Sequence, residues 1–196
     1  MPTRSLKRSL RGAAAAGCIV AAAGLAGAAG YPERYELGLP ASPDDIAKVA
    51  MGVMPDGRGL PPGKGDYAAG KAVYEASCQA CHGANLMGVA DLPDMPSGAA
   101  LRLIGGRGTL ATPTPMLTVE SYWPYATTLF DYIRRAMPFT APGSLGNDEV
   151  YAVTAFILGE AKIIDRSTSL DQSNLAQVNM PNRDGFIPDP RPEFFK

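Results

Sequence analysis

Cys78-Gln79-Ala80-Cys81-His82 gathers, within five positions, two of the three cysteines and the only histidine of a 196-residue chain. The spacing is C-x-x-C-H. On a last helical turn, thiols at i and i+3 reach the two vinyl groups of one porphyrin, and the residue that follows lands under the iron as proximal ligand. The pentapeptide is the attachment signature of haem c, and it decides the fold, because a domain built round a flat apolar group needs fewer side chains in its middle. Rival readings need more than the chain has. A thioredoxin-like redox pair sits between a strand and a helix, whereas these cysteines end a helix. A zinc site needs further Cys or His ligands. A plain disulfide leaves His82 without a role.

Upstream of the motif, Asp66 to Gln79 reads as a helix, with Gly70, Val73, Tyr74, Ser77 and Cys78 on one face. Gly70 and Tyr74 are expected where this helix crosses the last one, near Tyr151. Downstream, residues 83–120 are rich in Gly, Pro, Thr and Ala without periodicity and read as loops. Tyr125 to Ala136 is a second helix, ended by Pro138, which lacks an N–H and biases its predecessor away from helix. Glu149 to Leu158 is a third, capped at Gly146 or Asn147 and apolar on two stripes, hence buried. A short helix is also expected over Asp44 to Val53, capped by Ser42. No internal repeat is visible.

The sixth iron ligand must come from elsewhere. A methionine thioether opposite histidine stabilises ferrous iron and raises the potential, as electron transfer requires. Met137 is the first candidate: it follows a helix, precedes the last one, and Met137-Pro138 enforces an extended turn. Met87 stands too close to His82. Met95-Pro96 has the same form in a Gly- and Pro-rich loop and comes next; any one methionine can also be core filler. The haem propionates need donors, and Arg107, in Gly105-Gly106-Arg107-Gly108, offers a bidentate fork. Trp123 and Tyr125 are expected to wall the ring while supplying N–H and O–H donors.

Composition narrows the function further. Hydrophobic residues make up 46% and charged residues 19%, a globular balance. With 18 basic and 19 acidic residues there is no footprint for nucleic acid. The first thirty residues hold Arg4, Lys7, Arg8 and Arg11 and no acid, followed by an alanine-rich apolar run and small residues near Ala28. That pattern reads as a secretory signal over 1–29, with an uncleaved anchor as the alternative. Without it, 14 basic residues face 19 acidic ones, Cys18 is lost, and only the cysteines of the motif remain. The expected location is periplasmic. Residues 30–66 form a Pro/Gly-rich extension, with six Pro and six Gly over 31–66. The cytochrome domain is expected over 67–162, and 163–196, with four Pro, as an extended tail. These flanks are expected to cover part of the core and shape a docking face.

Gly70-x3-Tyr74-x3-Cys78-x2-Cys81-His82, the Met137 loop and the terminal helix together resemble a class I c-type cytochrome. The resemblance implies an all-α fold of three to five helices around one covalently bound haem c, held by Cys78, Cys81, His82 and Met137, with extended N- and C-terminal segments. A narrower likeness rests on Pro55-Asp56-Gly57, Gly59-Leu60-Pro61-Pro62-Gly63, Gly105-Gly106-Arg107-Gly108-Thr109-Leu110, the run from Tyr122 to Pro138, and Met180-Pro181-Asn182-Arg183-Asp184-Gly185-Phe186. These are similar to the haem domain of the SoxD-type cytochrome subunit of sulfane (sulfite-type) dehydrogenase. Full-length members of that type carry two haems; this chain has one C-x-x-C-H and resembles the first haem domain, or a stand-alone monohaem relative. The resemblance implies an electron-transfer protein with no catalytic residues of its own. Its expected partners are a molybdenum dehydrogenase subunit and a downstream acceptor. A general diffusible carrier to a terminal oxidase, or a haem enzyme or sensor with an open sixth position, are the alternatives.

Overall fold

A computed structural model describes residues 37–89, 101–187 and 189. The expected signal over 1–29 and Met95 lie outside them. The chain divides into two units after Ala41. Of the first, residues 37–41 are irregular and exposed. The second unit holds everything that follows.

Its elements in order are helix α1 (Pro43–Val49), strand β1 (Lys64–Gly65), helices α2 (Tyr67–Ser77), α3 (Gln79–His82), α4 (Ala126–Ala136) and α5 (Asn147–Glu160), and strand β2 (Leu170–Asp171). A 3-10 turn at Leu175–Gln177 follows. Three of these helices, α1, α2 and α5, start where a nearby side chain accepts from a free N–H group. Ser42 accepts from Asp45 N–H in a capping box. Asp66 accepts from Ala69 N–H at 2.9 Å. At α5, Glu149 reaches back to accept from Gly146 N–H at 2.8 Å, and Asp148 and Glu149 lie in the favourable first turn. The expected Asp66–Gln79 helix is two: α2 stops at Ser77, and a separate turn, α3, carries the end of the motif.

The frame is the crossing of α2 over α5. A Cβ on Gly70 would sit 1.8 Å from the carbonyl oxygen of Ala152, so only glycine lets the two backbones approach so closely. Tyr67 and Tyr74 then bracket Phe156, with ring centroids 5.1 and 5.0 Å away. The partners of Gly70 and Tyr74 are thus Ala152 and Phe156; Tyr151 packs instead on Phe130 of α4, at 4.4 Å. Ten consecutive residues of α5, Val150 to Gly159, are buried, which explains its apolar stripes on both sides.

The flanking segments enter the same core. Leu170, Leu175 and Met180 are each 2% exposed or less and join the cluster containing Tyr74, Phe130 and Tyr151. β1 pairs antiparallel with β2, Lys64 opposite Asp171 and Gly65 opposite Leu170. The core therefore runs past Lys162, where the sequence suggests a boundary, as far as Met180.

Candidate functional site

Tyr74 fixes the start of the site. Its hydroxyl, buried in the α2–α5 crossing, donates to the carbonyl of Gly83 at 2.7 Å, pinning the chain just after His82 to the frame. The loop beyond folds back: Gly88 N–H donates to His82 O, Leu103 N–H to Leu86 O, and Val119 N–H to Leu103 O. This ladder brings the carbonyl of Leu101 to 2.5 Å from His82 Nδ1. A carbonyl can only accept, so Nδ1 carries the proton and Nε2 keeps its lone pair. That is the second-contact arrangement that prepares an imidazole for a metal.

A cavity of about 480 Å³ lies beside this turn, well within the range of small-molecule and cofactor sites. Cys78, Cys81 and His82 line it, as do Trp123, Leu129, Ile133 and Met137 and, from α5, Val153 and Ile157. Met137 is the extended residue that ends α4. The structure thus brings five of the seven sequence-selected residues to one cavity: Cys78, Cys81, His82, Met137 and Trp123. Trp123 is braced edge-on by Tyr132, centroids 5.7 Å apart.

Two do not line it. Arg107, expected at the propionates, is engaged elsewhere: its Nη2 donates to Ala161 O at 2.6 Å and its Nε pairs with Glu120 at 2.6 Å. Glu120 also accepts from Gly105 N–H, and Thr118 donates to Gly105 O, so Arg107 closes a clamp around the glycine turn. A Cβ on Gly106 would stand 2.7 Å from that of Met116, at φ +86°, which is why the turn needs glycine. Tyr125 caps α4, with the Arg183 guanidinium 5.5 Å from its ring centre. The arginine on the cavity wall is Arg102, whose only polar contact among the described residues is a 3.5 Å approach to Met116 Sδ. No motif in the sequence marks Arg102.

The donor chemistry fits haem c. The walls are largely aliphatic, as a porphyrin face requires. Burial, and Cys81 beside it, push the Cys78 thiol up to about 11. Redox-active C-x-x-C pairs need the opposite shift, toward thiolate. Among the described residues no group of three or more His, Cys, Asp or Glu is arranged to hold a metal ion. No described helix is long and apolar enough to cross a membrane.

Comparison with known proteins agrees with this chemistry. Residues 65–157 match the family described as cytochrome c oxidase, cbb3-type, subunit III. No curated protein matches the chain. Among solved structures, a chain in the crystal structure of the sulfane dehydrogenase SoxCD from Paracoccus pantotrophus is 39% identical, with a TM-score of 0.71 over 83% of this chain and 79% of that one. The helical frame, the C-x-x-C-H cavity and this identity lead to one conclusion: the chain belongs to the class I c-type cytochromes and resembles the cytochrome subunit of sulfane dehydrogenase.

Proposed function

We propose that this chain is a periplasmic monohaem cytochrome c that passes single electrons as acceptor subunit or partner of a molybdenum-dependent sulfur-compound dehydrogenase. The observation that carries the reading is the convergence of Cys78, Cys81, His82 and Met137 on one apolar cavity. The likeness to a chain of SoxCD supports the choice of partner.

When bound, haem c supplies an Fe(III)/Fe(II) couple that takes up and releases one electron. The chain's own residues do the rest. Cys78 and Cys81, both on the cavity wall, would hold the group by thioether bonds, so that it is not lost between encounters. Leu101 fixes the His82 ring through Nδ1. Met137 supplies a soft sulfur that favours the reduced state. The aliphatic side chains that α4 and α5 turn to the cavity, Leu129, Ile133, Val153 and Ile157, would exclude water from the site. No proton or substrate need be handled, and no side chain is assigned to acid–base work.

Purification of the native chain from its source, followed by metal analysis of what accompanies it, tests the partnership. A molybdenum protein that co-purifies and reduces the ferric cytochrome when given a reduced sulfur compound is the expected result. A cytochrome that purifies alone, and that no such protein reduces, sinks the dedicated role and leaves the general carrier.

A further inference from the structure

Helix α4 ends at Met137 and is gripped on its far side by the segment 51–55. Three α4 side chains at helical spacing make the grip. Asp131 Oδ1 accepts from Val53 N–H at 2.9 Å. Arg134 donates to Met51 O at 3.4 Å, and Thr127 to Pro55 O at 3.5 Å. The cavity-facing residues Leu129 and Ile133 lie about 200° round the helix from Asp131, at 100° per residue. One face of α4 therefore meets the cavity and the other meets a stretch of chain 78 positions upstream.

Asp131 is the strongest of the three contacts. It is 8% exposed, and its other oxygen is held by Arg135 one turn later. A buried carboxylate with both oxygens engaged has little freedom to move, and its charge makes the bond from Val53 stronger than a neutral one. The tie from Asp131 to Arg135 spans about one turn and stops two residues short of Met137.

We propose that Asp131 is a positioning residue for Met137: by bonding Val53 and Arg135 it fixes the end of α4, and so holds the thioether over the cavity against displacement. The inference rests on the reading of Met137 as the sixth ligand. Loss of the grip should let the helix end swing, so that the sulfur leaves the iron more readily while the protein remains folded.

The test uses the full-length ferric holoprotein and imidazole as the probe that competes with the thioether. In Asp131→Ala, imidazole should bind about tenfold more tightly, the equivalent of one hydrogen bond of ordinary strength, with weakening of the near-infrared Met–iron band. Asp131→Asn, which keeps an acceptor for Val53, should restore most of both. Tyr151→Phe removes a different bond to the upstream chain, the one to Pro61 O. It should lower thermal stability without changing imidazole affinity. If Asp131→Ala does not accumulate, Val53→Pro removes the same bond from the other side and carries the same expectation. Unchanged imidazole affinity in Asp131→Ala, or an equal gain in Tyr151→Phe, overturns the proposal. Met137→Ala separates the two readings: a retained Met–iron band there refutes Met137 as ligand, whatever Asp131 does.

Discussion

Arg107 donates through Nη2 to the carbonyl of Ala161, 54 positions away, at 2.6 Å. A guanidinium that the sequence offers to an anion is spent on the last turn of α5 and on Glu120. Helix C-termini carry free carbonyls and partial negative charge, so a cation there is well matched.

Arg107 and Arg102 are therefore expected to separate. Arg107→Ala should cost about 1–2 kcal/mol of stability, since the pair is half exposed, and leave the reduction potential unchanged. Arg102→Ala, at the cavity wall, should lower the potential, because removing a nearby positive charge favours ferric iron. Potentiometric titration of both variants, with thermal melts, distinguishes the roles; a shift from Arg107→Ala instead would restore it to the propionates.

Met137→Ala should open the sixth position, lower the potential and abolish the near-infrared band, while His82 keeps the haem in place. Should the band persist, another methionine is the ligand, with Met95 first in line.

Attachment is checked by acid extraction. One haem per chain should stay with the polypeptide after denaturation, and Cys78→Ala or Cys81→Ala should sharply reduce the holoprotein recovered. Haem released into the organic phase from the unaltered protein contradicts thioether attachment.

Alkaline pH should unfold the protein in a defined window. Burial raises the Tyr151 hydroxyl from 10.0 to about 12, with Asp171 adding to the shift, and raises Tyr67 and Tyr74 as well. Each is an acid whose neutral form the folded state prefers. For Tyr151 the stabilisation is whole below pH 10 and is lost as pH climbs toward 12. Tyr151→Phe should flatten that fall while costing about 1 kcal/mol at neutral pH for its bond to Pro61. Denaturant midpoints between pH 8 and about 12 measure it.

Gly70→Ala should be among the most damaging single changes. The added methyl meets the Ala152 backbone, which cannot turn aside as a side chain can. Separation of α2 from α5 would carry Cys78 away from the cavity, so holoprotein should fall steeply; normal yield would show that the crossing has slack.

The motif was legible because its chemistry requires five contiguous residues. The α2–α5 crossing was legible through Gly70 and Tyr74, although its partners proved to be Ala152 and Phe156. What escaped reading depends on backbone groups. The carbonyls of Leu101, Gly83 and Ala161 have no side-chain signature, yet they orient His82, anchor Tyr74 and claim Arg107. The break between α2 and α3 also escaped, because helical periodicity continues across Cys78 while the backbone there leaves the helix, at φ −125°. That the tail covers part of the core was expected; which of its residues do so was not legible, because Leu170, Leu175 and Met180 are too widely spaced to show a period.

The pairing of Lys64–Gly65 with Leu170–Asp171 has a kinetic consequence. The two strands are separated by nearly the whole domain, so the ladder belongs to the most non-local contacts of the fold, the kind that pays loop-closure entropy before any return. Helices α2 and α5 can meet without it. On loop-closure entropy alone, the ring of chain around them is expected to close after α2 and α5 have met, which leaves an interval in which the interior is open to a group inserted from outside.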